Sequence, residues 1–182
     1  MLVDTLPLEG LLLIKPTKYS DERGFFLEGF RKESSDSIGL PTFVQENHSF
    51  SVQKTVRGMH FQTGHCQAKL ITVIKGSIFD VAFDMRPKSK TYKQWIGVVL
   101  DETNCHQLFI PGGYAHGFCA LEDAHVVYKL STLYDKELEK GFYWKDPSIN
   151  IKWPFSDPIL SKRDQTAPLF DELCLKDEKV LS

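Results

Sequence analysis

Between residues 43 and 132 the chain never runs far without a turn signal, and breaks recur roughly every 8 to 12 positions. The stretches between the breaks are too short for ordinary helices, and several alternate apolar with polar residues. Phe43, Gln45, Asn47 and Ser49 fall on one face of an extended segment, with Val44, Glu46 and His48 on the other. A face of Gln, Asn and Ser is a poor core face and suits the lining of a polar cavity. Residues 68–74 end at Lys75-Gly76, and residues 77–84 are expected to fold back on them as a hairpin. Segments 92–100, 107–110, 115–121 and 125–132 continue the series. This cadence predicts an all-β sandwich or barrel.

The flanking regions add little helix. Residues 11–15 read as a first strand stopped by Pro16, residues 21–24 as a turn, and residues 25–30 as a strand. Residues 31–39 are polar and end in glycine, which predicts a short helix stopping at Gly39. After Gly141 the prolines at 147, 154 and 158 keep the chain extended, and residues 168–175 are expected to form a terminal helix. No repeat or linker divides the chain, so one domain spanning residues 1–182 is expected.

Charge and size narrow the function. A chain of 182 residues can bury about 70% of the surface of its unfolded form. Its formal net charge of −2 argues against non-specific binding to nucleic acid or to acidic membranes. The partly apolar start is interrupted by Asp4 and Glu9 and lacks a basic region, so it reads as neither a signal peptide nor a membrane span. Cys66, Cys105, Cys119 and Cys174 have no metal-type spacing and read as free thiols of a cytoplasmic protein.

The chemistry-bearing residues concentrate in Arg57-Gly58-Met59-His60-Phe61-Gln62 and in Gln67-Ala68-Lys69-Leu70. These bring a guanidinium, an imidazole and an amine close together in the sequence. His60 is either a histidine satisfied within a strand or a base, since imidazole titrates near neutrality when its tautomer is fixed. A buried carboxylate is the usual orienting group, and Asp164 in Leu160-Ser161-Lys162-Arg163-Asp164 is a candidate for it. Tyr128 either anchors a strand or serves as a general acid. Arg23, Arg57 and Lys162 or Arg163 suit phosphate oxygens if they converge. Phe26 could stack on a base.

Residues 111–118, Pro-Gly-Gly-Tyr-Ala-His-Gly-Phe, resemble the second half-signature of cupins, many of which bind metal. The first half-signature is not met. Gln62 stands two places after His60 where a second histidine would be needed, and Lys69 stands where an acid would be wanted. A lysine ammonium beside a divalent cation is electrostatically unfavourable. The motif therefore supports the barrel and not a metal.

Taken in order, residues 21–30, 45–51, 55–62, 67–70, 110–118, 127–135, 141–154 and 160–164 resemble the dTDP-4-dehydrorhamnose 3,5-epimerase family. The resemblance implies a cupin-type jelly roll with short flanking helices, acting on a dTDP-linked 4-keto-6-deoxyhexose without metal or other cofactor. It also implies a homodimer in which Arg23 and Phe26 reach the partner's site. By resemblance, His60 is the base at C3 and then C5, Asp164 orients it, Tyr128 is the acid on the opposite sugar face, and Lys69 steadies the enolate oxygen. Arg23, Phe26, Glu28, Gln45, Asn47, Arg57, His116, Tyr134, Glu139 and Arg163 match the family's substrate contacts. Arg163 replaces a common lysine, and the Thr63-Gly64-His65-Cys66 loop departs from the usual proline-bearing form. Alternatives are a 3-epimerase or ketoisomerase making one proton transfer, and a non-catalytic cupin that binds sugar nucleotides.

Overall fold

The computed structural model describes residues 1–64 and 66–173. His65, Cys174 and the last part of the predicted terminal helix lie outside these residues. The strands are β1 (Leu2–Thr5), β2 (Leu12–Lys15), β3 (Lys18–Asp21), β4 (Gly24–Leu27), β5 (Gln45–Ser51), β6 (Val56–Gln62) and β7 (Lys69–Lys75). They continue with β8 (Ser77–Asp84), β9 (Trp95–Asp101), β10 (Gln107–Ile110), β11 (Tyr114–Ala120), β12 (Ala124–Leu130) and β13 (Glu139–Gly141). Two short helices, α1 (Lys32–Ser37) and α2 (Lys162–Gln165), sit at the margins. Residues Phe170–Leu173 form a single 3₁₀ turn where a helix was predicted.

Two antiparallel sheets carry the fold. One has the order β1-β2-β10-β7-β12-β5 and the other β13-β6-β11-β8-β9. Side-chain alternation then sets the interior. Ile71 and Val73 from β7, Leu108 and Ile110 from β10, and Val126 from β12 pack against Ile78, Ala82, Leu100 and Phe118 of the opposing sheet. The outer face of the five-stranded sheet is not left to solvent. Met59, Phe61, Val81 and Phe83 are covered by Phe142, Ile149, Ile151 and Phe170 from the chain after β13. That stretch holds α2 beside β6, so the C-terminal region brings a late part of the sequence to the middle of the fold. No helix among the described residues is long and apolar enough to cross a membrane.

The predicted strands at 43–49, 68–74, 77–84, 92–100, 107–110, 115–121 and 125–132 all form, with shifted ends. The expected hairpin between 68–74 and 77–84 does not. β7 pairs with β10 and β12, whereas β8 pairs with β11 and β9. The turn at Gly76 instead carries the chain from one sheet to the other. Gly76 has φ +77°, and a Cβ there would lie 2.1 Å from the Asp123 carbonyl oxygen. A two-sheet core needs apolar residues on both walls, and this crossing lets Ile71 and Val73 face Ile78 and Ala82. The strand predicted at 25–30 ends at Leu27 and pairs only with β3, as a hairpin separate from both sheets. The short helix ends as expected, with Gly39 at φ +77° just beyond it.

Candidate active site

At one end of the sandwich the two inner faces turn polar and enclose a cavity of about 710 Å³. From the five-stranded sheet, His60 on β6 and His116 on β11 are direct cross-strand partners. The register slips just beyond them, between His116 and Phe118. Two glycines permit the slip: a Cβ on Gly58 (φ +125°) would lie 2.5 Å from the Gly117 Cα. Gly141 on β13 pairs with His60 on its other side, and a Cβ there would sit 3.0 Å from the imidazole Cδ2. The imidazole thus occupies room that glycine leaves. From the opposite sheet come Lys69 on β7, Tyr128 on β12, and Asn47 and Ser49 on β5, with Tyr128 paired in register to Asn47. The Ser49 hydroxyl is buried without a hydrogen-bond partner among the described residues.

Each histidine is backed by a carboxylate. Asp164 Oδ1 lies 2.6 Å from His60 Nε2, and their side chains are 5% and 24% exposed, so the imidazole fronts the cavity and the acid stands behind it. Burial alone would raise the Asp164 carboxyl. The hydrogen bond and charge of His60, with Ser161 and Arg163, outweigh burial and hold it below the usual carboxylate range. His116 Nε2 lies 2.9 and 3.0 Å from the two oxygens of Asp80, which is fully buried. Lys69 is half-buried and lines the cavity. Burial therefore pushes its amine down to about 8, against the opposing pull of Glu139 and Asp80. An imidazole held against a buried acid, a phenol on the facing wall and an amine pushed down to about 8 form a set that can move protons beside a carbonyl.

Known proteins with this architecture decide the family. The chain matches the description dTDP-4-dehydrorhamnose 3,5-epimerase over residues 5–172. The chain belongs to the dTDP-4-dehydrorhamnose 3,5-epimerase family. It is 47% identical over 163 residues to the dTDP-4-dehydrorhamnose 3,5-epimerase of Methanothermobacter thermautotrophicus, covering 87% of this chain and 88% of that one. With the Salmonella typhimurium enzyme of that name the identity is 42% over 182 residues, covering 97% of this chain and all of the other. The crystal structure of the Legionella pneumophila dTDP-6-deoxy-D-glucose-3,5-epimerase, solved with dTDP-4-keto-L-rhamnose, superposes with a TM-score of 0.91. It is 38% identical, and the match covers 98% of this chain and 96% of the other. The sandwich is accordingly the family's cupin-like jelly roll.

Most of the predicted site residues meet at the cavity. His60, Lys69, Tyr128, Asp164, Asn47, Arg57, His116, Tyr134, Glu139 and Arg163 all line it. Arg57 is held by Ser51 Oγ and the Phe50 carbonyl, each 2.9 Å away. Glu139 accepts from Arg163 and, at 3.0 Å, from the Tyr134 hydroxyl. Gln45 stands one residue pair back, where its amide donates to Asn47 Oδ1 and its carbonyl accepts from the Tyr134 backbone N–H. Arg23, Phe26 and Glu28 are not brought to this cavity. Arg23 pairs with Asp21 at the tip of the β3–β4 hairpin and its side chain is 84% exposed; Glu28 pairs with Arg31. Phe26 is exposed on the same hairpin.

Gln62, the residue that breaks the metal-cupin pattern, has other work. Its amide donates to the Leu133 carbonyl and its oxygen accepts from the Asp135 N–H, which fixes the loop bearing Tyr134. Among the described residues no group of three or more His, Cys, Asp or Glu is placed to hold a metal. Asp80 is the site residue that sequence reasoning missed. Its signal was available: an acid between Ile78 and Ala82 on the inner face of a buried strand.

Proposed function

We propose that this chain inverts C3 and C5 of dTDP-4-dehydro-6-deoxy-D-glucose to give dTDP-4-dehydro-L-rhamnose. The observation that carries the reading is that His60, backed by Asp164, and Tyr128 line one cavity from opposite sheets. Epimerisation needs a base on one face of the sugar and an acid on the other, and facing walls supply both. The C4 ketone acidifies the neighbouring C–H bonds. His60 removes the C3 proton, the electron pair moves to the C4 oxygen, and the enolate is stabilised by the Lys69 ammonium, with His116 beside it. Tyr128 then protonates C3 from the other face as the enolate electron pair returns to carbon. Once His60 has released its proton to solvent and the Tyr128 phenolate has taken one up, the sequence repeats at C5. Asp164 keeps His60 in the tautomer whose free nitrogen faces the substrate and offsets the positive charge that His60 acquires.

Arg57, Gln45, Asn47, Glu139 and Arg163 are the contacts for the nucleotide-sugar, and Tyr134 flanks it. The reading includes a second copy of the chain. Tyr19, Phe25 and Phe26 are all exposed on the β3–β4 hairpin, and this supports a homodimer in which Arg23, Phe26 and Glu28 complete a neighbour's cavity. The test is solvent exchange. Incubated with dTDP-4-keto-6-deoxyglucose in deuterium oxide, the protein incorporates label at C3 and C5, read by NMR. Label at C3 alone would reduce the activity to a 3-epimerase, and no label would remove catalysis.

A further inference from the structure

His60 and Asp164 lie more than a hundred residues apart, and Asp164 stands on the weakest element of the fold. α2 has only four residues. A helix of one turn does not hold itself, because nucleation fixes several residues for the return of a single hydrogen bond. Yet an orienting carboxylate must be held to within about half an ångström to be useful. Something other than helix propensity keeps Asp164 in place.

The anchors are visible residue by residue. Ile159 is fixed to the start of β6: the Val56 N–H donates to the Ile159 carbonyl at 3.0 Å, and the Ile159 N–H donates to the Lys54 carbonyl at 3.0 Å. Two residues on, Ser161 has the extended conformation of a helix cap (φ −67°, ψ 157°), and its hydroxyl oxygen accepts from the Asp164 backbone N–H at 3.1 Å. The spacing Ser-x-x-Asp is that of a capping box, in which the acid normally turns back to the N–H of the capping residue. Here the Asp164 carboxylate turns instead to His60, 2.6 Å away. At the far side, Arg163 is tied to Glu139 on β13, the strand that flanks His60.

We propose that Ser161 is a positioning residue for the reaction, its hydroxyl holding the Asp164 backbone so that the carboxylate meets His60. The inference rests on His60 and Asp164 acting as the proposed base and its orienting acid, and it adds a residue with no role in that scheme. The hydroxyl also helps keep the Asp164 carboxyl ionised. Without it, Asp164 wanders within a loose turn, and its carboxylate no longer meets the His60 imidazole in one fixed geometry. The other titratable or charged groups that line the cavity with His60 are Tyr128 on β12, Tyr134 after it, Glu139 on β13, His116 on β11, Lys69 on β7, Arg57 on β6 and Arg163 on α2.

The experiment compares wild type, Ser161→Ala and Ser161→Thr. In Ser161→Ala, kcat for epimerisation falls about tenfold with KM within about twofold, the size expected from losing one capping bond. Ser161→Thr, which keeps the oxygen, recovers most of the rate. A ¹⁵N NMR measurement of the His60 imidazole without substrate reads the same effect independently of turnover: the ring is held in one tautomer in the wild type and becomes a mixture in Ser161→Ala. Unchanged kcat and tautomer in a folded Ser161→Ala protein would overturn the proposal, as would failure of Ser161→Thr to recover either readout. Should Ser161→Ala not fold, Ser161→Gly keeps an acceptable cap conformation without the hydroxyl and carries the same test. An inactive wild type with the expected NMR shift would sink the proposed activity while leaving the positioning role standing.

Discussion

Asp84 and Asp164 are both buried carboxylates with a basic neighbour within hydrogen-bond distance, and they do opposite things. Asp84, at the end of β8, is saturated. It accepts from the Arg86 backbone N–H, Nε and Nη2 and from the Ser89 and Thr91 hydroxyls, all between 2.6 and 3.0 Å. Arg86 in turn donates to the Glu9 carbonyl and to Tyr114, so the cluster knits one end of the sandwich. Against the penalty of burial, these bonds hold Asp84 down to about 2. Asp164 is given one imidazole, and that imidazole still fronts the cavity. A carboxylate whose donors all stay put is structural. One whose donor changes protonation state, as His60 does in the proposed reaction, is poised for chemistry. The pair shows that burial and a low pKa do not by themselves mark a site; the freedom left to the partner does.

The largest expected effect lies on the reactive side. His60→Ala lowers solvent-deuterium incorporation by roughly 10²–10⁴-fold, the usual worth of a general base, while dTDP affinity measured by calorimetry stays nearly the same. Incorporation at the wild-type rate would remove His60 as the base. Next comes an exchange of fates between the two acids. Asp164→Asn is expected to cost about 10²-fold in kcat with little change in melting temperature. Asp84→Asn is expected to cost about 3 kcal/mol in urea unfolding, because it leaves Arg86 without its partner, while turnover per folded molecule is kept. The opposite pattern in either variant would break the contrast.

Smaller effects sharpen it. The Lys69 amine titrates at about 8 and is an ammonium only below that value. The exchange rate should therefore fall as pH rises through about 8, and Lys69→Met should lose this alkaline limb along with part of the rate. A limb that survives in Lys69→Met belongs to another group. Asp84 supplies the smallest effect. Its folded pKa lies below the unfolded value near 3.9, so its contribution is present above that value and disappears as pH falls towards about 2. Urea unfolding at pH 5 and pH 3 should show an acid loss on the order of 1–2 kcal/mol that Asp84→Asn lacks.

Much of this was legible in the residues. The strands appear where turn residues and alternation put them, and Gln45, Asn47 and Ser49 share the inner face that their polarity implied. The hairpin at Lys75-Gly76 misled because local spacing is the same whether a tight turn closes a ladder or crosses between sheets. Only the need to cover both inner faces distinguishes them. In residues 160–164 the sequence offered Asp164 only as a candidate partner for His60, without the local structure that holds it. A four-residue helix has no periodicity to betray it, and Asp164 is buried by packing against β6 and not by its neighbours in the chain. Arg23, Phe26 and Glu28 match the family's substrate contacts, but the hairpin that carries them does not reach this chain's cavity.

By itself the sequence determined the class of fold and the kinds of chemical group available, because side-chain periodicity and functional-group identity are local properties. Tertiary structure decided how each acid reaches its partner, and it alone placed Asp80 behind His116. Asp164 comes to His60 through a late segment folded over the five-stranded sheet, Asp80 comes to His116 across a ladder, and Asp84 goes to Arg86 two residues away. The reason is physical: a buried carboxylate must find a donor, but which donor it finds depends on where the sheets and their crossings leave space.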